Sequence, residues 1–214
     1  MREIDVILFD LDNTLYHPES GLLEAGDRTI TRFIADRLQI PWDEADELRR
    51  RTWTSYGATA RGLEVEFDVP QREFFAGSID AVAVEEYVSP RPELRRMLQA
   101  LPQRLYVFTN APSGYARRTL DALGIADLIE DVFDIETTGG LPKPECHCYD
   151  RVLGEIGVPA ERVALLEDTE ANLEPAAELG MLTIKVGPPP PEGDHLYIED
   201  LLDLPDLLAA GQAQ

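Results

Sequence analysis

The chain has 214 residues, 44% hydrophobic and 28% charged, the composition of a folded, soluble chain long enough for a core domain plus a smaller insertion. Its 41 acidic and 19 basic residues leave a formal net charge of −22, which argues against sequence-independent binding to nucleic acid or an anionic membrane, since both need a basic surface. No apolar run approaches the length of a membrane span.

The first element is an apolar strand, Val6 to Phe9, reached without any signal-peptide pattern. Asp10, Asp12, Asn13 and Thr14 follow it directly. Residues 16–88 read as a helical block with no strong strand. In it, "LLEAGDRTITRFIADRLQI" carries apolar residues at helical spacing, "DEADELRRRTWTSYG" is a second helix, and "PQREFFAGSI" a third with Pro70 near its first turn. From Pro90 strands and helices alternate. The helix "PELRRMLQAL" precedes the strand "RLYVFTN", and "SGYARRTLDALG", with Gly124 as its cap, precedes the short strand "DVFDIE". The helix "PECHCYDRVLGEIG", the strand "RVALLED", the helix "EANLEPAAELG" and the strand "MLTIKVG" complete the series. "GPPPPEG" at 187–193 is expected to form a stiff surface loop.

Strands alternating with helices predict βαβ units, and hence an α/β fold built on a parallel sheet. The predicted organisation is a core of residues 1–15 and 89–214, interrupted by a helical insertion at 16–88. Ligands of such sheets bind beyond the carboxyl ends of the strands. The polar clusters "FDLDNT", "FTN" and "LLED" all fall at such ends.

Asp10 and Asp12 place two acids at the edge of a core, where charge is costly. Alone they would repel, and one would take up a proton. A divalent cation removes that penalty, and Mg²⁺ prefers carboxylates, water and substrate phosphate. Glu167 and Asp168 end another strand and offer further carboxylate; Lys143 offers a compact positive charge; Thr109 and Asn110 offer short donors. Together these suit a phosphate site, in which one carboxylate attacks phosphorus and the second moves protons.

"FDLDNTLY" resembles the first signature of the haloacid dehalogenase superfamily in its phosphatase form. "FTN" at 108–110, Lys143 in "GLPKP" and "LLEDTEANL" resemble its other three signatures, in order, over nearly the whole chain. The resemblance implies a Rossmann-like core with residues 16–88 as a helical cap domain. It implies Asp10 as nucleophile and metal ligand, and Asp12 as general acid/base with its main-chain carbonyl on Mg²⁺. Leu11, Thr109, Asn110 and Lys143 become the phosphate-binding set, Asp168 a direct metal ligand, and Glu167, where aspartate is commoner, a ligand through water. "FDLDNTLYHP" and "YGATARGL" at 56–63 are similar to motifs of the pyrimidine 5′-nucleotidase group, with Tyr56, Gly57 and Thr59 as cap residues bearing on specificity.

The resulting expectation is a Mg²⁺-dependent phosphomonoesterase for a nucleoside 5′-monophosphate, acting through an aspartyl-phosphate. Three other readings stay open: a phosphatase for a sugar phosphate or phosphoglycolate, a haloacid dehalogenase, and a non-catalytic nucleotide-binding or scaffold protein. The expected partner is a small phosphorylated metabolite, with neither nucleic acid nor membrane, and the chain a monomer or homodimer. Cys146 and Cys148 form no disulfide framework, which points to a reducing, cytoplasmic compartment. With His147 they do not supply the four suitably spaced ligands of a structural zinc site. His17, just after the first motif, reads more simply as a surface residue than as part of the cleft.

Overall fold

The computed structural model describes residues 3–188 and 195–212. Most of the proline-rich stretch at 187–193 lies outside them. Six strands form one parallel sheet: β1 (Val6–Phe9), β2 (Arg104–Phe108), β3 (Asp131–Phe133), β4 (Val163–Glu167), β5 (Leu182–Val186) and β6 (Leu196–Ile198). Their order is β3-β2-β1-β4-β5-β6. The chain thus builds one way from β1 through β2 to β3, then returns to the other side of β1 for β4. Reversal beside a central strand opens a crevice at the carboxyl ends of β1, β2 and β4.

Alternation along β1 shows why both faces must be covered. Ile7 and Phe9 join one apolar cluster, Val6 and Leu8 the other. The first cluster packs beneath α5 (Pro92–Ala100), α6 (Ser113–Leu123) and α9 (Leu204–Gln212). The second packs beneath α7 (Cys146–Ile156) and α8 (Glu170–Glu178). All four β1 residues are fully buried, as expected of a central parallel strand.

Between β1 and α5 lie four helices: α1 (Leu22–Leu38), α2 (Trp42–Tyr56), α3 (Thr59–Phe67) and α4 (Gln71–Gly77). Among the described residues this stretch contains no strand. Ile34, Ala45, Leu48, Leu63, Phe74 and Phe75 give it an apolar cluster of its own, which Ile135 from the loop after β3 also enters. Pro70 stands just outside α4 as its N-cap.

Three elements escaped the sequence reading. Helix α3 lies in "TARGLEVEF" and begins inside the stretch taken as a cap motif. In the fold, Gly62 lets α3 approach α2, because a Cβ there would stand 2.4 Å from Thr52 Cβ and 2.9 Å from Tyr56 Cδ2. Strand β6 is only three residues long, too short for periodicity to mark. Helix α9 follows directly on a single helical turn at Leu201–Asp203, with no capping signal of its own.

Candidate active site

The carboxyl ends of β1 and β4, neighbours in the sheet, supply the acids. Asp10 follows β1, its backbone N–H donating to Leu166 O at 2.8 Å, so its position is fixed by the β1–β4 ladder. Glu167 is the last residue of β4 and Asp168 the next. Asp10 and Glu167 are buried; Asp168 is half-buried. Carboxylate oxygens of these three residues come within 4.8 Å of one another.

Lys143 enters from the loop after β3 and is 1% exposed. Its Nζ donates to Asp10 Oδ1 at 2.8 Å, Glu167 Oε2 at 2.5 Å and Phe108 O at 2.8 Å. An ammonium has three donors, and all three are in use. Its loop is pinned by Asn110, whose Oδ1 accepts from Lys143 N at 2.7 Å while Nδ2 donates to Lys143 O at 3.0 Å. Asn110, expected to bind phosphate, therefore holds the lysine's backbone with both ends of its amide. Thr109 is buried; its Oγ1 accepts from Ala111 N at 3.0 Å and keeps its own proton to donate. Leu11 is fully buried, so its side chain contributes packing and only its backbone can face a ligand.

Asp12 lies apart from the three-acid cluster. Its Oδ1 accepts from Tyr16 OH and, at 2.8 Å, from Tyr115 OH. Asn13, in the left-handed region at φ 59°, turns its amide to Asp168 Oδ2 at 3.3 Å. Glu167 Oε1 accepts from Thr169 N at 3.0 Å, so both its oxygens are engaged by protein.

The sequence resemblance marked Tyr56, Gly57 and Thr59 together, but the fold gives them different tasks. Tyr56 packs on α3 beside Gly62, and its hydroxyl bonds to Glu66. Thr59 Oγ1 donates to Arg49 O at 3.2 Å, tying the start of α3 to α2. Gly57 is the member that reaches the site. At φ +74°, a Cβ on it would stand 2.6 Å from Lys143 O and 3.0 Å from Pro144 Cδ. Asn110 Nδ2 also lies 3.5 Å from Gly57 O, so one amide touches both the insertion and the lysine loop. His17 is exposed and caps the following helical turn, accepting from Glu19 N at 3.2 Å. Cys146 is exposed and Cys148 buried, where burial pushes its thiol up to about 12.

The electrostatics are those of a site holding excess negative charge. Burial, followed by the Glu167 charge, pushes Asp10 up to about 7 despite Lys143 beside it. Burial also raises Glu167 and Asp168. Burial works against the Lys143 ammonium, but Asp10 and Glu167 outweigh it and raise it above the usual lysine range. Three acids therefore face one cation. The donors are all hard oxygen atoms, and Asn13 Oδ1 beside them is buried without a hydrogen-bond partner among the described residues. An oxygen-rich, under-neutralised cluster of this kind fits a hard dication. Sequence reasoning missed Asn13, Tyr16 and Tyr115 as site residues. Asn13 and Tyr16 stand within the first motif, whereas nothing in the spacing of Tyr115 ties it to Asp12.

Residues 4–180 match the family model described as haloacid dehalogenase-like hydrolase. A phosphoglycolate phosphatase of Rhodospirillum rubrum is 30% identical over 189 residues, covering 82% of this chain and 76% of that protein. Phosphate metabolism protein 8 of Saccharomyces cerevisiae is 26% identical over 193 residues; the match takes in 82% of this chain but only 59% of the yeast protein's length. A haloacid dehalogenase-type phosphatase from Thermococcus onnurineus superposes with a TM-score of 0.66 at 19% identity, covering 96% of this chain and 98% of that one, a likeness of fold.

Proposed function

The chain belongs to the haloacid dehalogenase-like hydrolases, in their phosphatase form, and from that premise we propose that it is a Mg²⁺-dependent phosphomonoesterase whose nucleophile is Asp10. The observation that carries this reading is the buried meeting of Asp10, Lys143, Glu167 and Asp168 at the crevice where the sheet order reverses. We assign residues 16–88 as a cap over that crevice and the remainder as the catalytic core.

Lys143 orients Asp10 through Oδ1 and favours its ionised form, the form that attacks, against the burial that raises it. Asp10 bonds to phosphorus as the ester P–O bond breaks, and Asp12 gives its proton to the departing oxygen. Asp12 then takes a proton from water, whose oxygen bonds to phosphorus and frees Asp10 with release of phosphate. Thr109 donates its hydroxyl proton to a phosphoryl oxygen. Asp10, Asp168 and the Asp12 main-chain carbonyl would hold Mg²⁺, with Glu167 alongside. The ion supplies the positive charge that the acids and the phosphoryl group both lack. Asn110 and Gly57 link the cap to the Lys143 loop, so seating of the cap and placement of the lysine are one event.

For substrate, the cap-motif resemblance supports a nucleoside 5′-monophosphate, pyrimidines first. A second reading, a smaller phosphate such as phosphoglycolate, is favoured by the R. rubrum relative and by the packing roles of Tyr56 and Thr59. The test is a kinetic panel of UMP, CMP, AMP, phosphoglycolate and hexose phosphates, with Mg²⁺ and with EDTA. Release of phosphate that needs the metal supports the phosphatase reading, and full activity in EDTA overturns it. Pyrimidine nucleotides among the poorest substrates would remove the nucleotidase assignment alone.

A further inference from the structure

Two buried tyrosines close on the second acid of the site. Tyr16 lies four residues beyond Asp12, in the segment leading to α1, and Tyr115 lies in the first turn of α6. They are 2% and 4% exposed. Both hydroxyls donate to one oxygen, Asp12 Oδ1, Tyr115 at 2.8 Å, and the two hydroxyl oxygens are 3.4 Å apart. No hydrogen bond from the described residues reaches Asp12 Oδ2. Burial, with the Asp12 charge behind it, holds both phenols above the usual tyrosine range, so they remain neutral donors.

A buried phenol needs a partner, and one backbone carbonyl would serve each of them. Instead, two elements 99 residues apart in sequence converge on a single carboxylate oxygen. Hydrogen bonds to an ionised acceptor are shorter and about twice as strong as neutral ones. Two from different directions leave the carboxylate one orientation and one free oxygen.

We propose that Tyr16 and Tyr115 are positioning residues that clamp Asp12 Oδ1 and present Oδ2 for proton transfer. The proposal rests on the reading of Asp12 as general acid/base. In the first step, the proton on Oδ2 passes to the ester oxygen as the P–O bond breaks, so the alcohol leaves neutral and Asp12 is left ionised. The bonds to Oδ1 become charge-assisted at that moment, so they stabilise the transition state more than the ground state. In the second step, Oδ2 recovers a proton from the attacking water.

The test is leaving-group dependence in Tyr16→Phe, Tyr115→Phe and the double variant. A p-nitrophenolate leaves without help from an acid, whereas an alkoxide needs it. For each protein, kcat/KM is measured for p-nitrophenyl phosphate and for an alkyl phosphate, and their ratio is taken. Both values come from one preparation, so the ratio is independent of the folded fraction. The double variant should lower the alkyl-to-aryl ratio roughly tenfold or more, part of the roughly 10²–10⁴ that positioned proton transfer contributes. Asp12→Asn should lower it further. A ratio unchanged within about twofold in the double variant, with Asp12→Asn lowering it, overturns the clamp and leaves the acid/base role standing. A ratio unchanged in Asp12→Asn overturns that role, and the clamp falls with it.

Discussion

Replacing Lys143 by methionine keeps an apolar stem and removes the cation that, among the described residues, bonds to both Asp10 and Glu167. Breaking a buried pair by deleting one partner costs about 3–5 kcal/mol, because the other charge stays buried and unbalanced. Here one ammonium serves two carboxylates and a main-chain carbonyl, so the loss falls in that range when both acids are ionised. Against a total stability of about 5–15 kcal/mol, that is a large fraction. Protonation relieves it. With Asp10 already raised to about 7 in the wild type, removal of Lys143 raises the acid further, because the lysine was a lowering influence. In EDTA, urea unfolding of Lys143→Met at about pH 8 should therefore show a loss of about 3 kcal/mol or more, a midpoint shift of about 1 M or more. At about pH 5.5, below the raised Asp10 value of about 7, that acid is mostly neutral and the loss should fall to about half or less. Equal losses at the two pH values, or a loss below about 1 kcal/mol at the higher one, would refute the claim that Lys143 balances a buried acid pair.

Other substitutions and conditions test separate links. Gly57→Ala forces a Cβ to 2.6 Å from Lys143 O at a positive φ; kcat should drop about tenfold or more, and a kcat within about twofold of wild type would show that the lysine loop does not need this approach. Gly62→Ala overpacks the contact of α3 with Thr52 and should cost about 1–3 kcal/mol by denaturant unfolding; a change below about 0.5 kcal/mol contradicts the packing reading. Metal-free stability should fall as pH rises. The raised Asp10 holds its proton when folded and loses it near pH 4 when unfolded, so the folded state binds more protons between about 4 and 7. The slope should reach about −1.4 kcal/mol per pH unit, shrink in Asp10→Asn and flatten with Mg²⁺; a stability that rises with pH over that window rejects it.

The core was legible because its signals are local and repeated. Val6 to Phe9 form one apolar run, Gly124 closes its helix as marked, and β1, β2 and β4 end on the polar residues that the crevice gathers. The acid cluster followed for the same reason: Asp10, Glu167 and Asp168 stand at the ends of β1 and β4, which are neighbours in the sheet. What stayed hidden depends on long-range approach. That Tyr115 would meet Asp12 is set by how α6 crosses the sheet, and no spacing encodes it. Asn110 carried a donor signature suited to phosphate, yet its partner is the backbone of Lys143, 33 residues on. The packing role of Gly62 was hidden because its reason, the close approach of Thr52, lies on another helix.

The most direct measurement is a crystal structure grown with magnesium and fluoroberyllate, which mimics a phosphoryl group on a carboxylate. The account predicts beryllium bonded to an Asp10 oxygen and magnesium shared by Asp10 and Asp168, with neither bound in Asp10→Asn. Fluoroberyllate seated on another side chain, or bound unchanged in Asp10→Asn, would contradict it.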